Sequence, residues 1–540
     1  MKKYFPLFWV FYLLCAFSAH AGEGRYTIPL TGGGWSLWLD KEASWQNDRL
    51  YLPHEITDLS LLPVNVPTGG WQTLSHNPDA VPVEVPGTVE EYLTVTDNPR
   101  PENFRGVSWW YRKITIPADQ QKKRFIIYFE SVRMRAEVYL DGKLVAYDLI
   151  GETPFHVDIT DEAKPGKEQL LAIRVTNPGG NFHWQDFDIM KWGEYNIPPS
   201  RSFTGIIGRV KLESVNPVFI SDIYMQNTPE LTKVNAILSF TNETSSSVKQ
   251  DVELIVNEKG NPDKVVFRQT LKAISFPAGN HEVTIPVNVP DAKLWDLSTP
   301  ELYTCNVLIK KGKKTLDQDK KDFGFRWFTV DGVGKDAVLR LNGRRIMLRS
   351  AISWGYFPVT GLIATTEMAE KQVRTAKSLG LNMLNFHRCI GSPVVLEKAD
   401  ELGLLYYEEP GSFHSANHDP FIRTIVNEKL KRMVYRDRSH PSLVIFNLIN
   451  EFGGPLSQDK ALVAKRMNDM REAHAIDPSR IMSFTSGWAG SEDKEEDSKA
   501  HMLPFDTTLY RKGWYDNHRA GGPETWVENY YKGPKDNIMY

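Results

Sequence analysis

The sequence contains few cysteines, little excess of either charge and few long apolar runs. Only three of the 540 residues are cysteine, Cys15, Cys305 and Cys389, which excludes a fold that depends on a disulfide framework. Lysine and arginine number 64 against 67 acidic residues, a net charge of -3. The chain therefore lacks the basic excess of a protein that binds nucleic acid through its phosphates. We expect a neutral or mildly charged partner and no nucleic acid.

The first 21 residues have the pattern of a secretion signal. Lys2 and Lys3 precede the apolar segment from Phe5 to Phe17, and "AHA" at residues 19–21 supplies the small residues that a signal peptidase requires. The pattern predicts a signal peptide over residues 1–21 and export to the periplasm or the extracellular space. The apolar segment is shorter than the ~20 residues of a spanning helix, so we expect no membrane span after cleavage.

The sequence that follows begins with two stretches of strand-like texture. Residues 22–215 are rich in Trp, Tyr, Gly and Pro, with short alternating segments such as "SWWYRKITIP", which predicts a β-sandwich. Residues 216–331 hold further alternating segments, among them "VNAILSFTNET", at the spacing of a small immunoglobulin-like sandwich. A chain of 540 residues is long enough for three or four domains of ~150 residues each.

The period of the sequence changes after residue 331. Apolar runs such as "LNMLNFH", "LGLLYYEE" and "SLVIFNLINE" alternate with helical stretches such as "TEMAEKQVRTAKSLG". Strand followed by helix, repeated, predicts a parallel sheet or a (β/α)8 TIM barrel over residues 332–540. We place six strands, near Ile346, Asn382, Leu404, Leu443, Ile481 and within "HMLPF". A complete barrel has eight, so we expect one that is truncated after about six strands.

The run "HPSLVIFNLINEFGG", residues 440–454, ends in an amide and a carboxylate. An apolar run of this kind predicts a strand that is buried on both faces. Asn450 and Glu451 then lie at its C-terminal end, where parallel barrels carry their catalytic groups. A carboxylate there, on an apolar floor that raises its pKa, suits the acid/base of a glycosidase. The alternative is a structural glutamate that caps the next helix, because Asn-Glu is a common dipeptide.

The longer segment "MVYRDRSHPSLVIFNLINE" resembles the acid/base segment of glycoside hydrolase family 2, the family of β-galactosidases, β-glucuronidases and β-mannosidases. "GVSWWYRKITIP" and "VYLDGKLV" are similar to that family's N-terminal jelly-roll sandwich, "LWDLSTPELYTCNV" to its immunoglobulin-like domain, and "LRLNGRRIMLRSA" to the start of its barrel. The resemblance implies a retaining exo-β-glycosidase that hydrolyses terminal β-linked sugars of oligo- or polysaccharides. It also implies that Glu451 is the general acid/base and Asn450 the adjacent substrate-binding amide.

Several positions depart from that family's pattern. After the first strand, "SAISW", which ends at Trp354, replaces the usual Gly-Val-Asn-Arg-His. At the second strand Asn385, His387 and Arg388 replace Arg-x-Ser-His. We expect all four side chains to contact substrate at the barrel rim. For His387 the alternative is a histidine bonded into the core.

The loop after the third strand, "EEPGSFHSAN", lacks the Glu and His that bind magnesium in some β-galactosidases. His414 and His418 lie in or near this loop, but two histidines without a carboxylate at ligand spacing are a weak indication of a metal site. We therefore predict no metal and no other cofactor.

Two further groups of residues are candidates for sugar contact. The segment "NFHWQDFDIMKWGEY" holds Asp186 and Asp188 among aromatic residues, and it resembles the loop by which the family's first domain reaches the sugar. Carboxylates accept hydrogen bonds from hydroxyls, and aromatic faces stack on sugar C–H groups. The alternative is a loop that its own aromatic cluster stabilises. Trp488 and Asp506 follow the fifth and sixth predicted strands and are candidates at the barrel rim.

A retaining glycosidase needs a second carboxylate, the nucleophile, about 5 to 5.5 Å from the acid/base. In the family this residue ends the seventh strand, so we expect it beyond Tyr540 and expect the chain as given to be inactive. Glu524 and Glu528 lie in a predicted loop and helix and are not assigned this role. A β-galactoside is the favoured substrate because the sequence holds no diagnostic uronate motif. A β-glucuronidase or other uronidase, and a non-catalytic carbohydrate-binding protein on the same scaffold, are the open alternatives.

Overall fold

The structure is a computed structural model. It describes residues 24–93, 104–180, 190–198, 203–331, 338–355, 357, 361–412, 419–450, 459–486, 501–503 and 507–508. Two β-sandwiches are followed by a largely parallel sheet with helices between its strands. Over these ranges no helix is both long enough and apolar enough to cross a membrane.

The first region is a β-sandwich of antiparallel strands. Its strands are β1 (Tyr26–Pro29), β2 (Gly32–Asp40), β3 (Val81–Val85), β4 (Gly87–Thr88), β5 (Gly106–Thr115), β6 (Arg124–Phe129), β7 (Arg135–Leu140), β8 (Lys143–Asp148), β9 (Phe155–Asp158), β10 (Glu168–Asn177), β11 (Met190–Trp192), β12 (Tyr195–Ile197), β13 (Gly205–Ile206) and β14 (Val210–Val215), with helices α1 (Gln72–His76) and α2 (Val89–Tyr92). The two main sheets have the orders β1-β14-β6-β9 and β3-β2-β5-β10-β7-β8. Their inner faces bury Trp35, Trp110 and Phe129 in one core, which confirms the predicted sandwich.

The second region is a smaller sandwich of seven strands. They are β15 (Val218–Asn227), β16 (Lys233–Asn242), β17 (Val248–Glu258), β18 (Val265–Phe276), β19 (Gly279–Asn288), β20 (Tyr303–Lys311) and β21 (Lys314–Phe323). The sheet orders are β15-β16-β19 and β18-β17-β20-β21. Along β16 every second residue is buried, because one face of the strand packs on the opposite sheet. The predicted immunoglobulin-like sandwich is confirmed.

The third region alternates strands with helices. After a small sheet of β22 (Phe328–Asp331), β23 (Val338–Leu341) and β24 (Arg344–Arg345), the main sheet consists of β25 (Ser350–Ser353), β26 (Met383–Phe386), β27 (Leu405–Glu408), β28 (Leu443–Asn450), β29 (Ile481–Ser486), β30 (His501–Leu503) and β31 (Thr507–Thr508). The helices are α3 (Thr366–Ser378), α4 (Pro393–Leu402), α5 (Pro420–Asp437) and α6 (Lys460–Ile476). Strands β25 to β29 pair in chain order and in parallel, as a TIM barrel requires.

Side chains of the parallel strands alternate between two faces. Met383 of β26 packs in one apolar cluster with Ile445 of β28. Leu384, the next residue, belongs to another cluster, together with Val373 of α3. Successive strand residues point to opposite faces, so Met383 and Asn385 share the face that is turned away from the helices. That face is the interior side of the curved sheet.

Two strand predictions differ from the structure. The first barrel strand, which we place near Ile346, is β25 and begins at Ser350. The predicted sixth strand is β30, which runs antiparallel to β29 and forms a hairpin-like pair with β31, so it is not a parallel barrel strand. A parallel partner needs a crossover, usually a helix, and the intervening sequence "SEDKEEDSK" offers no apolar stripe for such a helix.

The predicted domain boundaries at residues 215/216 and 331/332 stay predictions. The structure shows only that strand pairing changes partner there, since β14 pairs within the first sandwich and β15 within the second.

Candidate active site

The strands β25 to β28 end side by side at one edge of the sheet. Ser353 ends β25 and pairs with Phe386, which ends β26 and in turn pairs with Glu408 of β27. Asn450 ends β28. Because active sites of parallel barrels lie at the carboxyl ends of the strands, this edge is the candidate active site.

Asn450 is held at both its main chain and its side chain. Its backbone N–H donates to the carbonyl oxygen of Ser412 at 3.0 Å, and its Oδ1 accepts from Nε of Arg388 at 2.7 Å. The structure therefore joins two predicted site residues that lie 62 positions apart in sequence. The Asn450 side chain is fully buried, so its orientation depends on these protein contacts.

Glu409 anchors the backbone of Arg388. One of its carboxylate oxygens, Oε2, accepts from the Arg388 backbone N–H at 2.9 Å, and the other, Oε1, accepts from the Tyr407 hydroxyl at 2.7 Å. Arg388 has a φ of 55°, in the left-handed region, which costs energy for any residue other than glycine. A buried carboxylate that binds this N–H stabilises the conformation.

Trp354 lies against both predicted residues that follow β26. Its ring meets the His387 ring edge-on, with centroids 4.5 Å apart and planes at 85°. The guanidinium carbon of Arg388 stands 5.7 Å from the Trp354 ring centroid, within the range of a cation–π contact. Trp354 thus supports the Arg388 side chain that reaches Asn450.

His387 and Asn385 lie near the same edge but differ in exposure. His387 is only 3% exposed, and its backbone N–H donates to the Ser353 carbonyl at 2.9 Å. This burial favours the core histidine over the rim contact. Asn385 is half-buried on the interior face, and its buried Oδ1 has no hydrogen-bond partner among the residues that the structure describes.

The Glu408 side chain lies on the opposite face of β27 from Tyr407 and Glu409, and its carboxyl group has a raised pKa. Its Oε1 accepts from the Gly391 backbone N–H at 2.6 Å and lies 3.4 Å from Arg436 of α5. Burial, and then the charge of neighbouring Asp437, raise the pKa of this carboxyl well above its ordinary value, although Arg436 opposes them. Because Glu408 faces the helices, we interpret it as a structural group and not as part of the site.

A cavity of about 120 Å³ adjoins the site between the first sandwich and the barrel. Trp354 and Arg388 form part of its wall on the barrel side. Glu130 and Arg209 of the sandwich lie opposite and bind one another at 2.6 Å. The sandwich therefore forms one wall of this cavity.

Several sequence candidates lie outside the described residues. They are Glu451, Asp186, Asp188, Trp488, Asp506, His414, His418, Glu524 and Glu528. Their predicted roles stay predictions. Among the described residues, no three of the types His, Cys, Asp and Glu are grouped so as to hold a metal ion.

Two residues of the site were not among those predicted from the sequence. Glu409 and Tyr407 form the support of Arg388, yet in the sequence they are part of the apolar-acidic run "LLYYEE". Strand alternation was the available signal, because it places residues 405, 407 and 409 on one face. A tyrosine and a glutamate on the interior face of a barrel strand need polar partners.

Three family models match successive parts of the chain. "Glycosyl hydrolases family 2, sugar binding domain" matches residues 33–196, "Glycosyl hydrolases family 2" matches residues 218–326, and "Glycosyl hydrolases family 2, TIM barrel domain" matches residues 335–536. The order of the three models is the order of the three regions in the structure.

Curated relatives carry glycosidase names. A putative beta-glucuronidase of Formosa agariphila is 25% identical over 509 residues, which are 91% of this chain and 56% of that protein. A beta-galactosidase of Thermoanaerobacterium thermosulfurigenes is 30% identical over 377 residues, which are 68% of this chain and 49% of that protein. The chain thus spans about half the length of these relatives.

Solved structures have a similar fold. A glycosyl hydrolase family 2 member from Bacteroides cellulosilyticus DSM 14838 superposes with a TM-score of 0.69 at 21% identity, over 87% of this chain and 58% of that chain. Bacteroides uniformis beta-glucuronidase 2 superposes with a TM-score of 0.69 at 20% identity, over 95% and 58%. At such identities these likenesses show the fold.

Proposed function

The chain belongs to glycosyl hydrolases family 2. From that membership we propose that its activity is that of a retaining exo-β-glycosidase, which removes terminal β-linked sugars from oligo- or polysaccharides. The single observation that carries the proposal is the position of Asn450 at the carboxyl end of β28, where Arg388 holds its amide. Glu451 follows it directly in sequence.

In this proposal Glu451 is the general acid/base. It protonates the departing glycosidic oxygen and then deprotonates the water that releases the sugar, while a second carboxylate forms the glycosyl intermediate. Asn450 binds a hydroxyl of the sugar beside it. Trp354 and Asn385 complete the pocket wall, since both lie at the same edge of the sheet as Asn450.

For the substrate we propose a β-galactoside first and a β-uronide second. A beta-galactosidase and a putative beta-glucuronidase are both among the relatives. The guanidinium of Arg388 at the strand ends favours the uronide, because guanidinium groups bind carboxylates well. The absence of a recognised uronate motif favours the galactoside.

A panel of nitrophenyl glycosides tests the proposal. A protein that contains the complete barrel is assayed on the β-D-galactoside, β-D-glucuronide, β-D-galacturonide and β-D-mannoside, with the α-anomers as controls. We expect hydrolysis of one β-anomer with retention of configuration, read by NMR of the first-formed sugar. Binding of a sugar without hydrolysis would instead favour a non-catalytic carbohydrate-binding protein, and inversion would contradict the retaining mechanism.

We also propose that the protein is exported. The support is the pair Lys2 and Lys3 ahead of an apolar segment and small residues at 19–21. Mass spectrometry of the protein recovered from cell fractions tests it, and a mature chain that still begins at Met1 would contradict it.

A further inference from the structure

A chain of hydrogen bonds crosses three neighbouring strand ends of the candidate site. It begins at the Glu409 carboxylate after β27, passes through the backbone N–H of Arg388 after β26, and ends where Arg388 Nε meets Asn450 Oδ1 on β28. The two bonds are 2.9 and 2.7 Å long. The first holds the main chain of Arg388 and the second holds the side chain of Asn450.

The Arg388 contact determines how the Asn450 amide is turned. A guanidinium group has donors and no acceptor, so the atom that it meets at 2.7 Å must be the amide oxygen. The Nδ2 group, which carries two donors, then points to the other side of the amide. A rotated amide would place two donors against one another, which is unfavourable in a buried site.

Glu409 determines where the guanidinium stands. Arg388 adopts a φ of 55°, and its N–H donates to Glu409 Oε2 at 2.9 Å. Glu409 is itself fully buried and is held on its other oxygen by Tyr407. The structure thus links the Glu409 carboxylate to Asn450 through Arg388.

We propose that Arg388 and Glu409 are positioning residues that turn the Asn450 amide so that it meets a sugar oxygen as a hydrogen-bond donor. The sugar part of this inference rests on the proposed function, whereas the orientation of the amide does not. The recognised group is a hydroxyl or carboxylate oxygen of the sugar that acts as an acceptor.

The first experiment compares kcat/KM on a set of monodeoxy nitrophenyl glycosides of the sugar that the protein hydrolyses best. In the wild type, removal of the hydroxyl that Asn450 binds carries a penalty, which Asn450→Ala abolishes. We expect Arg388→Met to reduce the penalty at that same hydroxyl about tenfold or more, since tenfold corresponds to the loss of one good hydrogen bond. Glu409→Gln, which keeps one acceptor oxygen, should reduce it less.

The controls separate positioning from general damage. Arg374→Met removes an arginine from the exposed face of α3, where it pairs with Glu370 at 2.7 Å, and should leave the penalty unchanged. Arg388→Lys keeps a cationic donor on a stem of similar length and should recover part of the penalty. If Arg388→Met lowers kcat/KM equally on every deoxy sugar, the side chain is merely structural and the proposal is overturned.

The second experiment needs no activity. Thermal midpoints are measured for Arg388→Met, Asn450→Ala and the double variant, with Arg388→Lys in place of the methionine variant should that protein not fold. We expect the double variant to lose less than the sum of the single losses, because the two groups bind one another. Additive losses would overturn the proposal. A protein that hydrolyses no glycoside but shows this coupling would defeat the proposed function and leave the orientation of the amide intact.

Discussion

Glu451 is the residue on which the proposed chemistry depends. A general acid accelerates departure of the leaving group by ~10² to 10⁴, and an activated leaving group does not need it. We therefore expect Glu451→Gln to lower kcat/KM, which reports the step in which the leaving group departs, strongly on alkyl glycosides and far less on dinitrophenyl glycosides. Steady-state kinetics on alkyl and dinitrophenyl glycosides measure the two losses, with and without azide as an added nucleophile. Equal losses on the two classes would contradict the acid/base role.

Glu90 of α2 predicts a pH dependence of stability. Its Oε2 accepts from the Thr204 backbone N–H at 2.9 Å, and burial raises its pKa from 4.5 to about 7. Between these two values the folded protein keeps a proton that the unfolded chain has lost. The unfolded state then binds fewer protons, so stability falls as pH rises from about 4.5 to about 7.

We expect Glu90→Gln to remove most of this fall, which is on the order of 3 kcal/mol for a shift of this size. A neutral amide keeps an acceptor for Thr204 and has no proton to lose. The measurement is the urea unfolding free energy at several pH values from 4 to 8. If the variant and the wild type give parallel curves across this range, Glu90 is not the group that titrates.

The contact between Arg388 and Asn450 shows what sequence alone cannot supply for a site. The family resemblance and the apolar run "SLVIFNLIN" were enough to place Asn450 at a strand end. They could not show that Arg388 turns through a left-handed φ, because that conformation depends on the carboxylate of Glu409 from the next strand. A tertiary contact here overrides the local preference of the residue.

At the scale of elements, helices were predicted well and strand beginnings less well. The periodic stretch "TEMAEKQVRTAKSLG" became α3, which Thr365 caps by accepting from the Met368 N–H. In contrast, within the stretch "RIMLRSAI" the barrel strand begins only at Ser350, while Arg345 belongs to β24 of the small sheet. Asn382 Oδ1 accepts from the Arg349 backbone N–H at 2.7 Å, so a side chain satisfies this N–H just before the strand begins.

One tyrosine hydroxyl links the second sandwich to the barrel, and its removal should lower the stability of the protein. Tyr224 of β15 donates to Asp477 at 2.5 Å, and this carboxylate is fully buried beside Arg480. We expect Tyr224→Phe to lower the free energy of unfolding by about 1.5–3 kcal/mol, as for the loss of a hydrogen bond to a charged group. Chemical denaturation measures the change.

Tyr51→Phe is the matched control for this variant, since the Tyr51 hydroxyl has no hydrogen-bond partner within the described part of the chain. Its effect should stay within about 0.5 kcal/mol. An equal effect of the two substitutions would show that Tyr224 contributes through its ring, which stacks on the Arg438 guanidinium at 4.2 Å, and not through the bond to Asp477.

For the whole molecule, changes of texture along the sequence were sufficient to indicate two sandwiches and a barrel, because strand and helix periods differ. How these parts pack was not available from the sequence. The sandwich and the barrel meet through charged side chains: Lys429 of α5 binds Glu152 at 2.8 Å, and Arg432 of α5 binds Asp148 at 2.7 Å. Residues 284 positions apart in the chain form the second pair, and no local pattern predicts which charges will meet.

These pairs predict that the sandwich and the barrel unfold together. Asp148 is 6% exposed at its side chain and Arg432 is 19% exposed, so removal of one partner leaves the other poorly solvated and costs up to about 3–5 kcal/mol. We expect Arg432→Met and Asp148→Asn each to lower the melting temperature in calorimetry and to separate one transition into two, because the barrel then loses its attachment to the sandwich. The double variant should recover part of the loss, since neither charge is left alone. A single transition at the wild-type temperature in both single variants would mean that the apolar contacts of Ile425 with the sandwich core are sufficient to couple the two domains.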